Sequence, residues 1–190
     1  GASAAVSVGI GLGSYVSSVQ SLDALTKQRL SAAADVGVGE IRSYLEAIEE
    51  QLVLIADHPG TVTAVQDFAA AWQSMADEGT DMKTALQAAY ITDNPHPTGE
   101  KDKLYDAKTG SSYDAVHARY HPWFHQLQQD QGYYDVFLFD TKGNLIYSVF
   151  KELDYATNFT AGGGEWAGSD LGEVFRTAIT VTGTTDVAFE

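Results

Sequence analysis

The chain has 190 residues, no cysteine, and 26 acidic against 11 basic side chains, for a formal net charge of −15. Disulfides, thiolate metal sites, iron–sulfur clusters and a cysteine nucleophile are therefore excluded, and such acidity disfavours nucleic acid and anionic membrane surfaces as partners. With 44 % hydrophobic and 11 % aromatic residues the chain can bury a core, so intrinsic disorder is not its main state.

Residues 1–19, GASAAVSVGIGLGSYVSSV, carry no charge and mostly small side chains. Only about ten of them, Ala4 to Gly13, are suitably apolar, against the roughly 20 a spanning helix needs. The basic start of a signal peptide is missing. Gly9, Gly11 and Gly13 have the spacing GxGxG, not the GxGxxG of a dinucleotide loop. The segment reads as the membrane-exit end of a transmembrane helix, with a flexible leader as the other reading.

From residue 20 to Asp57 the pattern is helical. Ile41, Tyr44, Leu45, Ile48, Leu52 and Ile55 form one stripe of period 3.6, with Glu40, Arg42, Glu46, Glu49 and Glu50 off it. At 1.5 Å per residue such a stalk would be roughly 54 Å long. Its stripe is expected to be buried in a dimer, and Gly37 and Gly39 to mark a kink or a close helix–helix approach. Pro59-Gly60 ends it.

The spacing predicts a helix over 61–77, with Thr61 as N-cap and Val62, Val65, Phe68, Ala69, Trp72 and Met75 on one face. A shorter helix is expected from Asp81 to Tyr90, then a loop over Thr92–Ser112 rich in proline and glycine. A helix over 113–130 presents Val116, Tyr120, Phe124 and Leu127, is kinked or restarted by Pro122, and ends at Gly132. The runs 133–140 and 145–150, rich in aromatic and bulky aliphatic residues and separated by Thr141-Lys142-Gly143-Asn144, predict a β-hairpin. Gly162 to Gly164 read as a flexible loop, Ser169 or Asp170 as the cap of a helix reaching Ile179, and Asp186 to Phe189 as the start of a strand. The order is α+β on a helical stalk. Three strands are few, so the sheet is expected to lack its closing strands.

His117, His121 and His125 recur at i, i+4 and i+8. A metal site is one reading; packing or polar roles are the preferred one, since no carboxylate completes a motif. No GxSxG, HExxH, P-loop or EF-hand pattern occurs. Asp135, Asp140, Glu152 and Asp154 could form a hydrolytic pair, but Asp140 reads better as shaping the hairpin turn, and the sequon Asn158-Phe159-Thr160 as chance. The denser signal mixes aromatic and charged residues: Arg119, Trp123, Tyr134, Asp135, Tyr147, Lys151, Asp154 and Tyr155. Such groups build small-molecule pockets. We expect one between the helix at 113–130, the hairpin and the loop at 151–165. There Arg119 would hold an anionic group, Trp123 would wall the cavity, Asp135 would take any cationic end, and the Gly162–Gly164 loop would close over the ligand.

The run YHPWFHQLQQDQGYYDVFLFDTKGNLIYSVFKELDYATNF, Tyr120 to Phe159, resembles the extracytoplasmic sensor regions of bacterial methyl-accepting chemotaxis proteins and related sensor kinases. GYYDVFLFDTKGNLIYSVFKELDYATN is similar to their PAS-like (Cache-type) core, and the long helix with RSYLEAIEEQLVLIADHP to what precedes it. The resemblance covers about residues 20–190. It implies a periplasmic input domain in the inner membrane (20–57 stalk, 61–130 helical part, 133–190 partial PAS-like sheet), with membrane spans on either side and a homodimer formed through the stalk. A small-molecule ligand, such as an amino acid, carboxylate or amine, is implied, with no cofactor, metal or catalytic residue. The competing function class is a secreted metal-binding or hydrolytic enzyme domain, and a third is a structural helical subunit.

Overall fold

The computed structural model describes the backbone of residues 2–180 and the side chains of residues 26–180. Five α-helices and a two-stranded antiparallel sheet occur among these residues, an α+β arrangement. The chain divides into two compact units, Gly1–Gln51 and Leu52–Glu190.

The first unit is helix. α1 (Ala2–Asp57) begins well before residue 20. The side chains of residues 1–19 lie outside the described residues, as does the strand expected at 186–189. No helix among the described residues is long and apolar enough to cross a membrane. Within the single chain Ile41 is 62 % and Tyr44 67 % exposed, while Ile48 is half-buried. Gly37 and Gly39 stay inside the helix, and a Cβ at either would meet nothing within 4 Å.

The second unit is built on α2 (Pro59–Asp77) and α4 (Ser112–Gln131). α2 starts two residues earlier than its sequence suggests. His58 is the cap: its backbone is extended and its Nδ1 accepts from Gly60 N at 3.0 Å. Pro59 follows at the first turn, where its missing N–H costs nothing. Thr61, expected as the cap, is buried and donates its hydroxyl to the Ile55 carbonyl at 2.6 Å. That bond satisfies a carbonyl of the kind left free at a helix end.

α3 (Met82–Gln87) is capped by Asp81, which accepts from Thr84 N at 2.8 Å, and runs into a π-helical turn at Ala88–Thr92. The following loop is ordered by one side chain. Buried Asn94 donates to the carbonyls of Tyr90 (2.9 Å) and Lys101 (3.0 Å) and accepts from His96 N (3.0 Å). This places a 3-10 turn, Lys101–Lys103, against the body.

α4 is capped by Ser111 and closed by Gly132 in the left-handed region (φ 68°). It does not restart at Pro122. The proline is on the exposed side, so only one backbone bond is forfeited there, while neighbouring His121 and Phe124 stay fully buried.

β1 (Phe137–Phe139) pairs with β2 (Leu145–Ser148) in the register Phe137↔Ser148, Leu138↔Tyr147 and Phe139↔Leu145, leaving Ile146 as a bulge residue. The turn is held by Asp140, whose carboxylate accepts from Lys142 N (2.9 Å), Asn144 N (2.9 Å) and Asn144 Nδ2 (2.7 Å). Gly143 sits at φ 81°, where an L side chain is strained. All of β2 is buried, because both faces are covered. Leu138, Ile146 and Tyr147 face the main core with Phe68 and Trp72 of α2 and Phe124 of α4. Leu145 faces a second cluster with Phe159 and Phe175, the latter on α5 (Asp170–Ala178). Ser169 caps α5, as expected.

The loop with three consecutive glycines is not a free lid. A Cβ on Gly163 would lie 2.1 Å from Asn158 Oδ1, and one on Gly164 2.8 Å from the Asn158 carbonyl. The glycines are there so that the chain can wrap Asn158. The Asn158 amide in turn donates to the Lys142 carbonyl and Asn144 Oδ1, both at 2.9 Å, so the sequon asparagine is a structural strut. Gly163→Ala should destabilise the domain by about 1–3 kcal/mol through overpacking; chemical denaturation measures it, and an unchanged midpoint would mean that the loop yields freely.

Candidate functional site

α4 decides which of the expected pocket residues can meet. Its buried face is Tyr113, His117, His121, Phe124 and Gln128. At about 100° per residue, Arg119 and Trp123 each stand about 200° from a histidine on that face and cannot share it. Arg119 is exposed and pairs with Asp67 of α2 at 3.2 Å. Tyr120 donates to the same carboxylate at 2.6 Å. Trp123, 39 % exposed, stacks on the His58 ring at 5.9 Å between centroids. Arg119 and Trp123 therefore belong to the α2–α4 seam, not to a pocket over the sheet.

Two further expectations are corrected. Tyr134 is 73 % exposed, with its hydroxyl on Glu152. Asp135 has no capacity left for a cationic ligand. Its carboxylate accepts from Val136 N (2.6 Å), Val149 N (2.8 Å), Phe150 N (3.3 Å) and Ser148 Oγ (2.7 Å). It also explains why the strands are shorter than the aromatic runs: the carboxylate takes up N–H groups that a longer ladder would use. Burial raises its pKa, and these hydrogen bonds act the other way.

Tyr147, Lys151 and Tyr155 do come together, with partners from α3, α4 and the loop after Asn94. Tyr155 donates to the Tyr113 hydroxyl at 2.7 Å, which donates to the Ile146 carbonyl at 2.7 Å. Tyr90 donates to Asp114 Oδ1 at 2.9 Å. The histidines of α4 form a stacked column, with centroids 4.4 Å apart from His117 to His121 and 5.5 Å from His121 to His125. Five of their six nitrogens meet protein partners. His117 Nδ1 meets the Tyr105 carbonyl at 2.8 Å, so this nitrogen carries the proton. His121 Nε2 likewise donates to the Asp102 carbonyl at 2.6 Å, leaving Nδ1 to accept from Tyr147 at 2.6 Å. His125 Nε2 meets Asp102 Oδ2 at 2.8 Å. Burial drives His117 well below the ordinary histidine range and His121 down to about 2, so both are neutral. No group of three or more His, Asp or Glu among the described residues is arranged to hold a metal ion.

Lys151 is the anomaly. It is fully buried, and its backbone is in the left-handed region at φ 56°, uncommon for a residue with a Cβ. Ser148 Oγ supports it by accepting from Lys151 N at 2.9 Å. Its ammonium donates to the Val149 carbonyl at 2.8 Å and lies 5.4 Å from the Tyr147 ring centroid and 5.9 Å from that of Tyr90. None of the ion pairs among the described residues includes it. Burial lowers its pKa to about 7, against the pull of Asp135 and Asp102. Asp154, half-buried nearby, is raised to about 6 by burial and by Asp135 and Glu152, and its Oδ1 has no partner. His117 Nε2 and Asp102 Oδ1 are also buried without partners.

Lys151 also lines a cavity of about 410 Å³, whose other walls are Ile91, Phe150, Leu153 and Trp166, with Thr98, Gly99, Lys101 and Glu152. This volume suits a small organic ligand. Ile91 and Trp166 carry no sequence signal for a site; they lie about 60 residues before and 15 after Lys151, and only the fold brings them there.

The titrations set a stability profile. Unfolded, Lys151 would keep its proton up to about pH 10.4, whereas folded it releases it near 7. Its contribution is therefore full above that unfolded value and is lost as pH falls towards 7. His117 and His121 add acid lability below about 6.5 by the same sign, since only the unfolded chain binds their protons there. Lys151→Met should abolish the alkaline rise, keep the acid limb, and raise stability at pH 7 by an amount on the order of a few kcal/mol. Urea midpoints across pH 5–10 check this; a variant that retains the alkaline slope would assign it to another group.

No family model, curated protein or solved structure matches the chain.

Proposed function

We propose that the chain is the extracytoplasmic ligand-sensing input domain of a bacterial transmembrane chemoreceptor or sensor kinase, with a PAS-like (Cache-type) core, facing the periplasm from the inner membrane. The observation that carries it is the half-enclosed cavity at Lys151, walled by apolar side chains and set at the end of the hairpin. The hairpin lies in the segment Tyr120 to Phe159 that resembles such sensors. Binding alone suffices for this role, and no catalytic group is invoked. The ligand site is moved from the residues first expected: Lys151 is kept; Arg119, Trp123, Tyr134, Asp135, Tyr147, Asp154 and Tyr155, which do not line the cavity, are released; and Ile91, Phe150, Leu153 and Trp166 are added.

Signalling would pass through α1, with ligand shifting a population between two packings of paired stalks. The exposure of Ile41 and Tyr44 in the single chain supports a stalk dimer. Ile41→Asp should then weaken self-association at least about tenfold, with thermal unfolding of the second unit unchanged. Sedimentation equilibrium measures this, and equal association would remove the stripe from the interface. The function itself is tested by screening metabolites for thermal stabilisation and for consumption of the compound. A sensor is stabilised and leaves its ligand unchanged; turnover of a stabilising compound would make the domain an enzyme.

A further inference from the structure

Resting on the cavity assigned above, we infer that its ligand is uncharged, with an apolar body larger than a benzene ring and one hydroxyl-type group met by Thr98. The walls that receive the body are Ile91, Phe150, Leu153 and Trp166. The volume of about 410 Å³ exceeds the roughly 150 Å³ that holds benzene. Two of the walls reach the surface, Leu153 at 64 % and Trp166 at 37 % exposure, so a ligand seated there takes apolar area out of water. Both are held in place before anything binds. Gln87 donates to the Leu153 carbonyl at 2.9 Å. The Trp166 indole N–H donates to Glu165 Oε1 at 3.1 Å, and Lys83 pairs with the same oxygen at 3.0 Å.

The charged residues of the wall leave no charge for a ligand to match. The Lys151 ammonium donates to the Val149 carbonyl and lies over Tyr90 and Tyr147, which do not line the cavity. Lys101 donates to the Asn94 carbonyl at 3.1 Å. Glu152 accepts from the Tyr134 hydroxyl through both oxygens, at 3.0 and 2.9 Å, and its charge is opposite to that of Lys101. A ligand ion would give up its hydration among apolar walls without gaining a partner, which is costly. Thr98 differs from the charged groups: its hydroxyl has no protein partner among the described residues. It can donate to or accept from an alcohol, phenol or ketone. This departs from the amino acid, carboxylate or amine that the resemblance implies.

Calorimetric titration of the whole chain with 2-naphthylmethanol, 2-methylnaphthalene, 2-naphthoate and 2-naphthylmethylamine, which share a skeleton and differ in the end group, tests this. The alcohol and the hydrocarbon should bind at least about tenfold more tightly than the acid and the amine. Trp166→Ala should weaken both neutral compounds at least about tenfold, and Leu153→Ala serves as the wall variant should Trp166→Ala not fold. Thr98→Val should weaken the alcohol about three- to tenfold and leave the hydrocarbon unchanged. An acid or amine that binds as tightly as the alcohol, and loses that affinity in the wall variant, would overturn the inference and leave the sensor proposal standing. An alcohol indifferent to Thr98→Val would overturn the role given to Thr98. Binding by none of these compounds, or binding indifferent to the wall variants, would overturn both the inference and the cavity as the ligand site.

Discussion

Phe68→Ala is expected to cost about 3–5 kcal/mol, the range for removing a buried aromatic ring, and to be the most damaging single truncation in α2. Phe68 is fully buried where α2, α4 and β2 meet. Its ring lies 4.9 Å from that of Tyr147, 5.3 Å from Tyr113 and 6.1 Å from Tyr120, centroid to centroid. Tyr147 and Tyr113 are the hydroxyls that hold His121 and the Ile146 carbonyl. Loss of the ring therefore loosens the floor under Lys151 as well as the core. Urea denaturation gives the value; a cost under about 1 kcal/mol would mean that the aromatic cluster closes the void by itself.

The second large effect is expected at Asp135. Asp135→Ala strands the N–H groups of Val149 and Phe150 and the Ser148 hydroxyl in a part-buried setting. Each buried polar group left unpaired costs about 1–3 kcal/mol, so the total should be about 3 kcal/mol or more. Asp135→Asn retains one acceptor oxygen and should recover part of it. The same pair separates a strut from a ligand contact. A strut lowers the unfolding midpoint in the absence of any small molecule, whereas a ligand contact would leave the midpoint intact and change only affinity.

Much of the scaffold was legible because it depends on short-range chemistry. Ser169 marks a helix start, Gly132 a helix stop, and the aromatic runs around Thr141–Asn144 the hairpin. The expectation of a Cache-type sheet rested on resemblance, not on periodicity. The site was less legible, because polar burial depends on partners distant in sequence. The sequence of α4 offers two faces, Val116–Tyr120–Phe124–Leu127 and Tyr113–His117–His121–Phe124. The second is buried because the loop after Asn94 supplies the carbonyls of Tyr105 and Asp102 to the histidines. Once those are inside, Arg119 and Trp123 must turn to α2. Asp135 was misread for the same reason: three of its four donors lie 13 to 15 residues further on. Lys151 was singled out only as one charge among several; its left-handed backbone and full burial have no local signature.

Fluorine NMR of the chain labelled with 5-fluorotryptophan reads the central claim directly, since its three tryptophans are distributed over three environments. Trp72 is in the core, Trp123 is stacked on His58, and Trp166 lines the cavity at Lys151. A compound that stabilises the domain should shift the Trp166 resonance saturably, over the concentration range of the stabilisation, while the Trp72 and Trp123 resonances stay in place. Stabilisation accompanied by movement of Trp123 alone, or with Trp166 unmoved, would contradict a sensor site at this cavity.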